Sequence, residues 1–295
     1  MKFYKTKITP LSTFATLLQG DTIFGQLCWA IRYSFGEEKL KDLLINYQEK
    51  PFMIVSDGFA SGYLPKPSLP SRLLSENPDN KKTNRKKIWL TLEHLQNTQF
   101  SKARTNEEIS YMNEKASVVK NSINYKTFTT GNDAFDPYSE EEMKLSDHDV
   151  YILLDEQKFS LKDLQKSMNT VSEMGFGKNS SIGKGRFSFS NFSEVSLQKQ
   201  NSTTYMTLSN STLEGLECKD IFYAPITKFT KHGASLATAS AFKKPLLLAK
   251  SGSVIVFDEN KSVQYIGKAI KGHSVYKETV HQGYSIVIPL KENLI

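Results

Sequence analysis

The feature that most constrains the fold of this chain is a glycine-rich segment, Gly175–Arg186, which contains four of the 16 glycines in the sequence. The apolar residues before it recur at helical spacing: Leu161, Leu164, Met168 and Val171. Ser160, three residues before Asp163, is typical of a helix start, and Gly175 is typical of a helix end. After the segment, phenylalanines alternate with serines as they do in a strand. The sequence therefore predicts a helix, a glycine-rich loop and a strand in direct succession.

The composition of this loop is suited to holding a phosphate group. Because glycine lacks a Cβ atom, the backbone N–H groups of such a loop can approach an anion closely. Lys178, Lys184 and Arg186 would add positive charge. A plain glycine-rich turn whose lysines face the solvent remains an alternative.

Two familiar nucleotide-binding motifs do not match the loop. A Walker loop places its lysine six positions after the first glycine and follows it with Ser or Thr, whereas Lys184 lies seven positions after Gly177 and precedes Gly185. A dinucleotide fingerprint would need glycine at the position of Ser180. The spacing argues against nucleotide hydrolysis through this loop.

The elements around the loop follow an order that is typical of an α+β fold. The predicted elements before it are a strand at 3–8, a helix after Gly20, a helix at 38–47, and strands at 52–55 and 150–154. Between the last two strands, from about residue 65 to 147, prolines and polar stretches predict a long, exposed insertion. This order predicts a split βαβ, ferredoxin-like (RRM-like) domain over residues 1–200. Residues 201–295 are dominated by predicted strands and form a second, degenerate ferredoxin-like domain in this interpretation.

The overall composition permits a polyanionic partner. The chain has 295 residues and a formal net charge of +7. Its N-terminus lacks an apolar signal segment, and no stretch has the length of a membrane span, so we expect a cytoplasmic protein with no membrane association. Cys28 and Cys218 are the only cysteines, and no Cys/His cluster has metal-ligand spacing. We therefore predict neither a metal nor another cofactor.

Several stretches, in order along the chain, give it a family resemblance. The loop resembles the glycine-rich loop of the RAMP superfamily, whose members assemble CRISPR effector complexes. More specifically, the chain resembles the guide-handle-binding subunit of type III-A (Csm) complexes. The matching stretches are 18–30 (LQGDTIFGQLCWA), 55–59 (VSDGF), 62–67 (GYLPKP), 121–124 (NSIN), 250–254 (KSGSV) and 281–284 (HQGY).

The resemblance implies a fold and a role. Proteins of this family have two ferredoxin-like domains and bind the repeat-derived 5′ handle of the guide RNA (crRNA). They lie between the large polymerase/cyclase-like subunit and the first backbone RAMP subunit, and an inserted thumb-like hairpin meets the guide beside its first spacer nucleotides. The family is regarded as non-catalytic. A RAMP subunit of another CRISPR type, with other partners, is a further alternative.

The predicted RNA-binding residues fall into four groups. In the insertion, amide, aromatic and cationic side chains are suited to stacking on unpaired bases and contacting phosphates. The start of the first helix offers unpaired N–H groups, although ordinary capping by Asp21 is the favoured interpretation there. The segment 228–250 has five lysines and no carboxylate. The full set is Gly177, Lys178, Asn179, Ser180, Ser181, Gly183, Lys184, Gly185 and Arg186 in the loop; Thr22; Asn121, Asn124, Tyr125, Lys126 and Phe128 in the insertion; and Lys231 and His232.

A catalytic role has weaker support in the sequence. None of the five histidines lies in a recognisable nucleophile or metal motif. We therefore predict no catalytic residues. The alternative is a metal-independent endoribonuclease that processes the guide-RNA precursor, for which His232, near Lys228 and Lys231, is the best candidate for general acid–base catalysis.

Overall fold

The structure is a computed structural model that describes residues 1–131, 135–197, 201–233, 236 and 241–291. The helices are α1 (Gly20–Phe35), α2 (Glu37–Ile45), α3 (Lys81–Lys86), α4 (Leu92–Gln96) and α5 (Leu161–Met174), with short 3-10 helices at Pro78–Asn80, Phe100–Lys102 and Ser180–Ile182. The strands are β1 (Lys2–Pro10), β2 (Met53–Val55), β3 (Phe59–Ala60), β4 (Leu64–Pro65), β5 (Trp89–Leu90), β6 (Asn113–Lys120), β7 (Tyr138–Leu145), β8 (His148–Leu154), β9 (Phe187–Phe189), β10 (Ser193–Glu194), β11 (Ser202–Thr207), β12 (Asp220–Phe222), β13 (Pro225–Lys228), β14 (Leu246–Ala249), β15 (Val254–Lys261), β16 (Tyr265–Gly267) and β17 (Tyr284–Pro289).

The first sheet is antiparallel and has the strand order β10-β1-β8-β2, with β9 also on β1 and β3 also on β8. Its interior strand β8 is buried along its whole length, because it lies between β1 on one side and β2 and β3 on the other. Helices α1 and α5 contact each other, and α1 also contacts β2. Ser160 caps α5 by accepting a hydrogen bond from the Asp163 N–H at 3.1 Å, and Gly175 ends this helix with φ of 85°. The helices and strands predicted before residue 65 and from residue 150 to the glycine-rich loop are confirmed.

The second sheet is also antiparallel, with the order β12-β15-β11-β17-β16. The described residues from 202 onward form no α-helix, which confirms that this part is dominated by strands. The predicted domain boundary at residue 200 falls within residues 198–200, which lie outside the described part of the chain.

The two sheets share one hydrophobic core. Met206, Val254 and Ile286 of the second sheet belong to the same cluster of buried side chains as α1 and β8. Gln282 pairs with the backbone of Val55 through both ends of its side-chain amide, because it accepts from the Val55 N–H at 2.9 Å and donates to the Val55 carbonyl at 2.8 Å. A buried amide that is satisfied in this way fixes the spacing of the two sheets.

The predicted insertion, residues 65–147, consists of two different parts. The first part was expected to be exposed, but this is wrong, because apolar residues between 69 and 103 are buried in the main core: Leu69, Leu74, Trp89, Leu90, Leu95, Phe100 and Ala103. The polar residues 75–87 separate these apolar residues, so the sequence shows no hydrophobic period that would predict their burial. The second part is a hairpin of β6 and β7, in register from Asn113 opposite Leu145 to Lys120 opposite Tyr138. Within the described ranges, no helix is long and apolar enough to span a lipid bilayer.

Candidate nucleic-acid interface

The glycine-rich loop closes on itself and on the segment that follows β1. The Phe176 N–H donates to the Gly185 carbonyl at 2.8 Å, and the Gly185 N–H donates to the Thr13 carbonyl at 2.9 Å. A Cβ atom on Gly185 would collide with the backbone of Phe176, and one on Gly177 would collide with the side chain of Thr16. Both glycines also have positive φ values, 70° and 78° respectively. Glycine is therefore required for close packing at these two positions.

Part of the loop backbone remains open to an anion. Four backbone N–H groups between residues 177 and 181 donate to no acceptor among the described residues: those of Gly177, Asn179, Ser180 and Ser181. The Lys178 N–H donates to the Thr16 hydroxyl. They surround the start of the 3-10 helix Ser180–Ile182, where Asn179 has a left-handed conformation with φ of 65°. Successive free N–H groups around such a left-handed residue form a concave site for negative charge.

Two of the three loop cations are already paired with carboxylates of strand β7. The Lys178 ammonium lies 2.6 Å from Glu140, and the Lys184 ammonium lies 2.6 Å from Glu142. Lys120 of β6 contacts both carboxylates, at 2.6 Å and 3.4 Å. We call these five residues, Lys120, Glu140, Glu142, Lys178 and Lys184, the clasp. The clasp joins the loop to the half of the hairpin that lies next to its tip.

The clasp engages its two lysines to different degrees. The side chain of Glu142 is only 3% exposed and also accepts from the Thr13 hydroxyl at 2.7 Å, so Lys184 neutralises a buried charge. Hydrogen bonds from Lys184 and Thr13 lower the pKa of Glu142. Lys178 is largely exposed and can contact a further anion. Arg186 is also exposed and forms no ion pair with a described residue.

The structure brings the predicted residues of the insertion together at the tip of the hairpin. Asn124 organises the turn, because its carbonyl accepts from the Phe128 N–H at 2.7 Å and its side chain accepts from the Lys126 N–H at 2.9 Å. Tyr125 is 87% exposed and Phe128 is 82% exposed. Asn121 directly follows Lys120 of the clasp, so the tip begins where the hairpin is joined to the glycine-rich loop. These two predicted groups therefore form one continuous surface.

The start of α1 confirms the prediction of capping by Asp21 in part. The N-cap residue is Gln19, but the Asp21 carboxylate accepts from the Thr22 N–H at 2.8 Å. The same carboxylate is buried and contacts Lys228 and, at 3.1 Å, His281. Burial alone would raise the pKa of Asp21, but hydrogen bonding to His281 and the charge of Lys228 outweigh it and hold the pKa well below its usual range. Thr22 is placed beside the same lysine, with its hydroxyl 3.3 Å from the Lys228 ammonium.

Lys231 and His232 are adjacent in sequence but have different surroundings. Lys231 is exposed, and its ammonium lies 4.4 Å from the centre of the Phe242 ring. His232 is buried, contacts the Ser274 hydroxyl at 2.8 Å and packs edge-on against Tyr276. Burial lowers the pKa of His232, and nearby Lys243 adds to this effect. The imidazole is therefore a neutral, packed group at neutral pH.

A buried polar cluster between the two sheets could not be assembled from the sequence. His273 and His281 lie with ring centres 5.7 Å apart, next to Asp21. Burial lowers the pKa of His273 to about 4, and the charge of Lys243 contributes. Burial also raises the pKa of Asp57 to about 6, while its carboxylate accepts from the Gly20 N–H at 2.7 Å. The members come from distant parts of the chain, so no spacing signal connects them. Among the described residues, no group of three or more His, Cys, Asp or Glu side chains is arranged to hold a metal ion.

The architecture is that of an α+β protein built on two antiparallel sheets, and solved structures share it. A chain of the Csm1–Csm4 cassette in complex with AMPPNP superimposes with a TM-score of 0.59 at 18% identity, covering 99% of both chains. A chain of the Csm3–Csm4 subcomplex in the type III-A CRISPR-Cas interference complex superimposes with a TM-score of 0.61 at 14% identity, covering 99% of this chain and 100% of that one. Csm4 is the component that both assemblies contain.

These similarities show that the chain shares the fold of the matched chains of these Csm assemblies along nearly its whole length. The resemblance predicted from the sequence is thereby confirmed for the fold. No protein-family model matches the sequence, and no curated protein matches it significantly.

Proposed function

We propose that this protein is a non-catalytic RNA-binding subunit of a type III-A CRISPR interference complex and that it holds the 5′ repeat-derived handle of the guide RNA. The observation that carries this proposal is the clasp, which joins a loop with four free backbone amides to a hairpin tip with two exposed aromatic rings. Backbone amides can donate hydrogen bonds to phosphates, and exposed aromatic rings can stack on unpaired bases. The shared fold with chains of Csm assemblies supports the same function.

In this proposal the chain consists of two ferredoxin-like domains, residues 1–200 and 201–295. The order β10-β1-β8-β2, with α1 and α5 in the connections, supports this interpretation for the first domain. The second domain is a degenerate copy, in which the described residues form strands but no α-helix.

The proposed grip on the handle divides the predicted residues by role. The free amides around Ser180, together with Arg186 and the exposed Lys178, contact phosphates. The tip residues Asn121, Asn124, Tyr125, Lys126 and Phe128 meet the junction between handle and spacer. Lys184 supports the hairpin through Glu142 instead of contacting RNA directly. Thr22 and Lys231 remain candidate contacts, whereas the buried His232 supports the backbone next to Lys231.

The proposed protein partners are a large polymerase/cyclase-like subunit and a backbone RAMP subunit. The neighbours in fold come from assemblies with Csm1 and with Csm3, which supports two separate protein contacts. Co-purification with tagged candidate subunits tests this: recovery of the large subunit of another CRISPR type would reject the assignment to type III-A.

The endoribonuclease alternative receives no support from the geometry around His232. This ring is buried and bonded to a serine hydroxyl, whereas a general acid or base must reach the RNA. Incubation of the protein with a transcript of the CRISPR repeat provides the test. Site-specific cuts that disappear in His232→Ala would reject the non-catalytic proposal.

The handle assignment is tested by binding of a labelled repeat–spacer transcript to the full chain. Arg186→Ala should weaken binding by about tenfold and lower the slope of log affinity against log salt by about 0.7, since one phosphate contact is lost. Lys162→Ala is the matched control, because it removes an exposed cation at the opposite end of α5. Equal affinity for the transcript with and without its repeat portion would contradict handle binding.

A further inference from the structure

The strands β13 and β14 continue into a longer antiparallel arm. Beyond the last strand pair, Lys228 opposite Leu246, the arm is extended by a bridge between Lys231 and Phe242. Two hydrogen bonds flank the bridge: His232 N–H to the Ala241 carbonyl at 2.7 Å, and Lys243 N–H to the Thr230 carbonyl at 3.0 Å. We call the described residues 225–233 and 241–249 the arm.

The arm contains a bulge that sets which side chains share a face. Between the pairs Lys228–Leu246 and Lys231–Phe242, two residues on the first strand lie opposite three on the second. Pro245 lies in this interval, where the missing N–H of proline is tolerated. Around the bridge between Lys231 and Phe242, side chains two positions apart lie on the same face, and the exposure of each side chain agrees with this alternation.

One face of the arm combines aromatic rings with lysines. Lys231 and Phe242 form a non-hydrogen-bonded pair, in which side chains are close, and the ammonium lies over the ring. Alternation places Phe229 on the face of Lys231 and Lys244 on the face of Phe242. Phe229 is 75% exposed and Phe242 is 68% exposed, and both lysines are exposed as well. We call these four residues the outer face of the arm.

The opposite face attaches the arm to the rest of the protein. His232 is buried on Ser274 and Tyr276, and Gly233 lies against the Trp29 indole. At the base of the arm, Lys228 contacts the buried Asp21. These contacts hold the arm against the rest of the protein, so the fold itself directs the two phenylalanines of the outer face toward solvent.

The charge on the outer face has no internal partner. Among the described residues, no carboxylate forms an ion pair with Lys231 or Lys244, and the sequence from 228 to 250 contains no Asp or Glu. Alternating cations and rings suit single-stranded nucleic acid, because phosphates neutralise the former and bases stack on the latter. A protein occupant would have to supply two carboxylates at the same spacing.

We propose that the outer face of the arm is a second single-stranded RNA-binding surface, with Phe229 and Phe242 as stacking platforms and Lys231 and Lys244 as phosphate contacts. The proposal rests on the proposed function, since it assumes that the protein handles RNA. It assigns a role to three residues, Phe229, Phe242 and Lys244, for which the glycine-rich loop and hairpin provide no explanation.

The test is fluorescence anisotropy of a labelled oligouridine with the full chain and its variants. Phe229→Ala combined with Phe242→Ala should weaken binding by about tenfold, since each stacked base contributes about 1 kcal/mol or more. Replacement of both by Trp should preserve affinity, whereas replacement by Leu should weaken it, because leucine keeps apolar area but cannot stack. Leu247→Ala, an exposed apolar residue at the base of the arm, is the matched control and should bind like the parent.

The lysines are tested separately. Lys231→Gln combined with Lys244→Gln should reduce the slope of log affinity against log salt by about 1.4, since each phosphate contact on a single strand contributes about 0.7. Unchanged affinity and slope in both double variants, with Arg186→Ala still weakened, would overturn the arm proposal and leave the proposed function standing. Double variants that bind RNA like the parent but no longer co-purify with a protein subunit would overturn the arm proposal in favour of protein docking. A parent chain that binds no RNA would overturn both.

Discussion

The glycine-rich loop and the arm both present lysines near exposed apolar groups, but the two regions use these charges differently. In the loop, Lys178 and Lys184 form ion pairs with two carboxylates of a neighbouring hairpin. In the arm, Lys228 at the base is paired with a buried carboxylate, while Lys231 and Lys244 on the outer face are unpaired among the described residues. A lysine-rich segment therefore divides into structural cations and free cations according to what the fold places beside each one.

This difference matters because removal of a structural cation and removal of a free cation have different effects. Removal of a structural cation leaves a buried carboxylate without compensation, which costs stability. Removal of a free surface cation changes affinity for a polyanion and its dependence on salt, with little effect on folding. Measurements of stability and of RNA binding on the same variants can therefore separate the two classes.

The largest effect is expected at the base of the arm. Lys228→Met removes the lysine that is paired with the buried Asp21 carboxylate, and we expect a loss of about 3 to 5 kcal/mol in the free energy of unfolding. Lys231→Met, on the outer face, should change it by less than about 0.5 kcal/mol. Urea unfolding of both variants checks this, and equal stability would show that the two lysines are not distinguished by the fold.

A pH-dependent loss is expected behind the arm. Burial holds the pKa of His273 at about 4, below its ordinary value of 6.5, so the unfolded chain takes up this proton first. The contribution of His273 to stability is therefore fully present above about pH 6.5 and falls as the pH drops toward 4, by roughly 3 kcal/mol. The raised pKa of Asp57 acts in the opposite direction over this range, so the effect of His273 is measured as the difference between the parent and a His273 variant. Urea unfolding across this range should show a shallower dependence in His273→Gln.

The clasp should resist the same change of pH. Hydrogen bonds from Lys120, Lys178 and Asn179 lower the pKa of Glu140 to about 2, so this carboxylate stays ionised between pH 6.5 and 4. Hydrogen exchange of β6 and β7 over this range should accordingly change less than exchange of the arm. Earlier loss of protection in the hairpin would contradict the contrast between the two regions.

A smaller loss of stability is expected from Lys184→Met. Glu142 keeps Thr13 and Lys120 as partners, so we expect about 2 kcal/mol instead of the full cost of an isolated buried charge. Lys184→Arg keeps a cation beside Glu142 and should retain most of the stability, and chemical denaturation measures both variants. Equal stability of Lys184→Arg and Lys184→Met would indicate that packing rather than charge maintains the clasp.

The smallest effect is expected at the exposed end of the clasp. Glu140→Gln removes a competing negative charge beside Lys178, so affinity for single-stranded RNA should rise by about two- to fivefold and the salt dependence should become steeper. Glu141→Gln is the matched control, because Glu141 is the next residue on β7 and its carboxylate contacts Lys115, away from the loop. An equal rise in both variants would reflect net charge alone.

Local pattern predicted the elements of the first sheet well, because periodicity and capping act within a few residues. The helix that ends at Gly175 and the strands on either side of the insertion are examples. The same reasoning failed for residues 69–103, whose apolar side chains are too widely spaced to show a period but are buried by long-range packing. For Asp21 it succeeded only in part, because local pattern shows the carboxylate at the helix start but not its distant partners Lys228 and His281.

The sequence by itself determined the glycine-rich loop, its preceding helix and the aromatic tip, since these depend on residue type and on near neighbours. Only the tertiary structure decided which cations are free. Lys184 meets Glu142 across 42 positions, and Lys228 meets Asp21 across 207. The inward position of His232 beside the outward Lys231 likewise depends on what packs against the arm. Electrostatic partners are chosen by the fold, because two charges interact according to their distance and burial in space and not according to their separation along the chain.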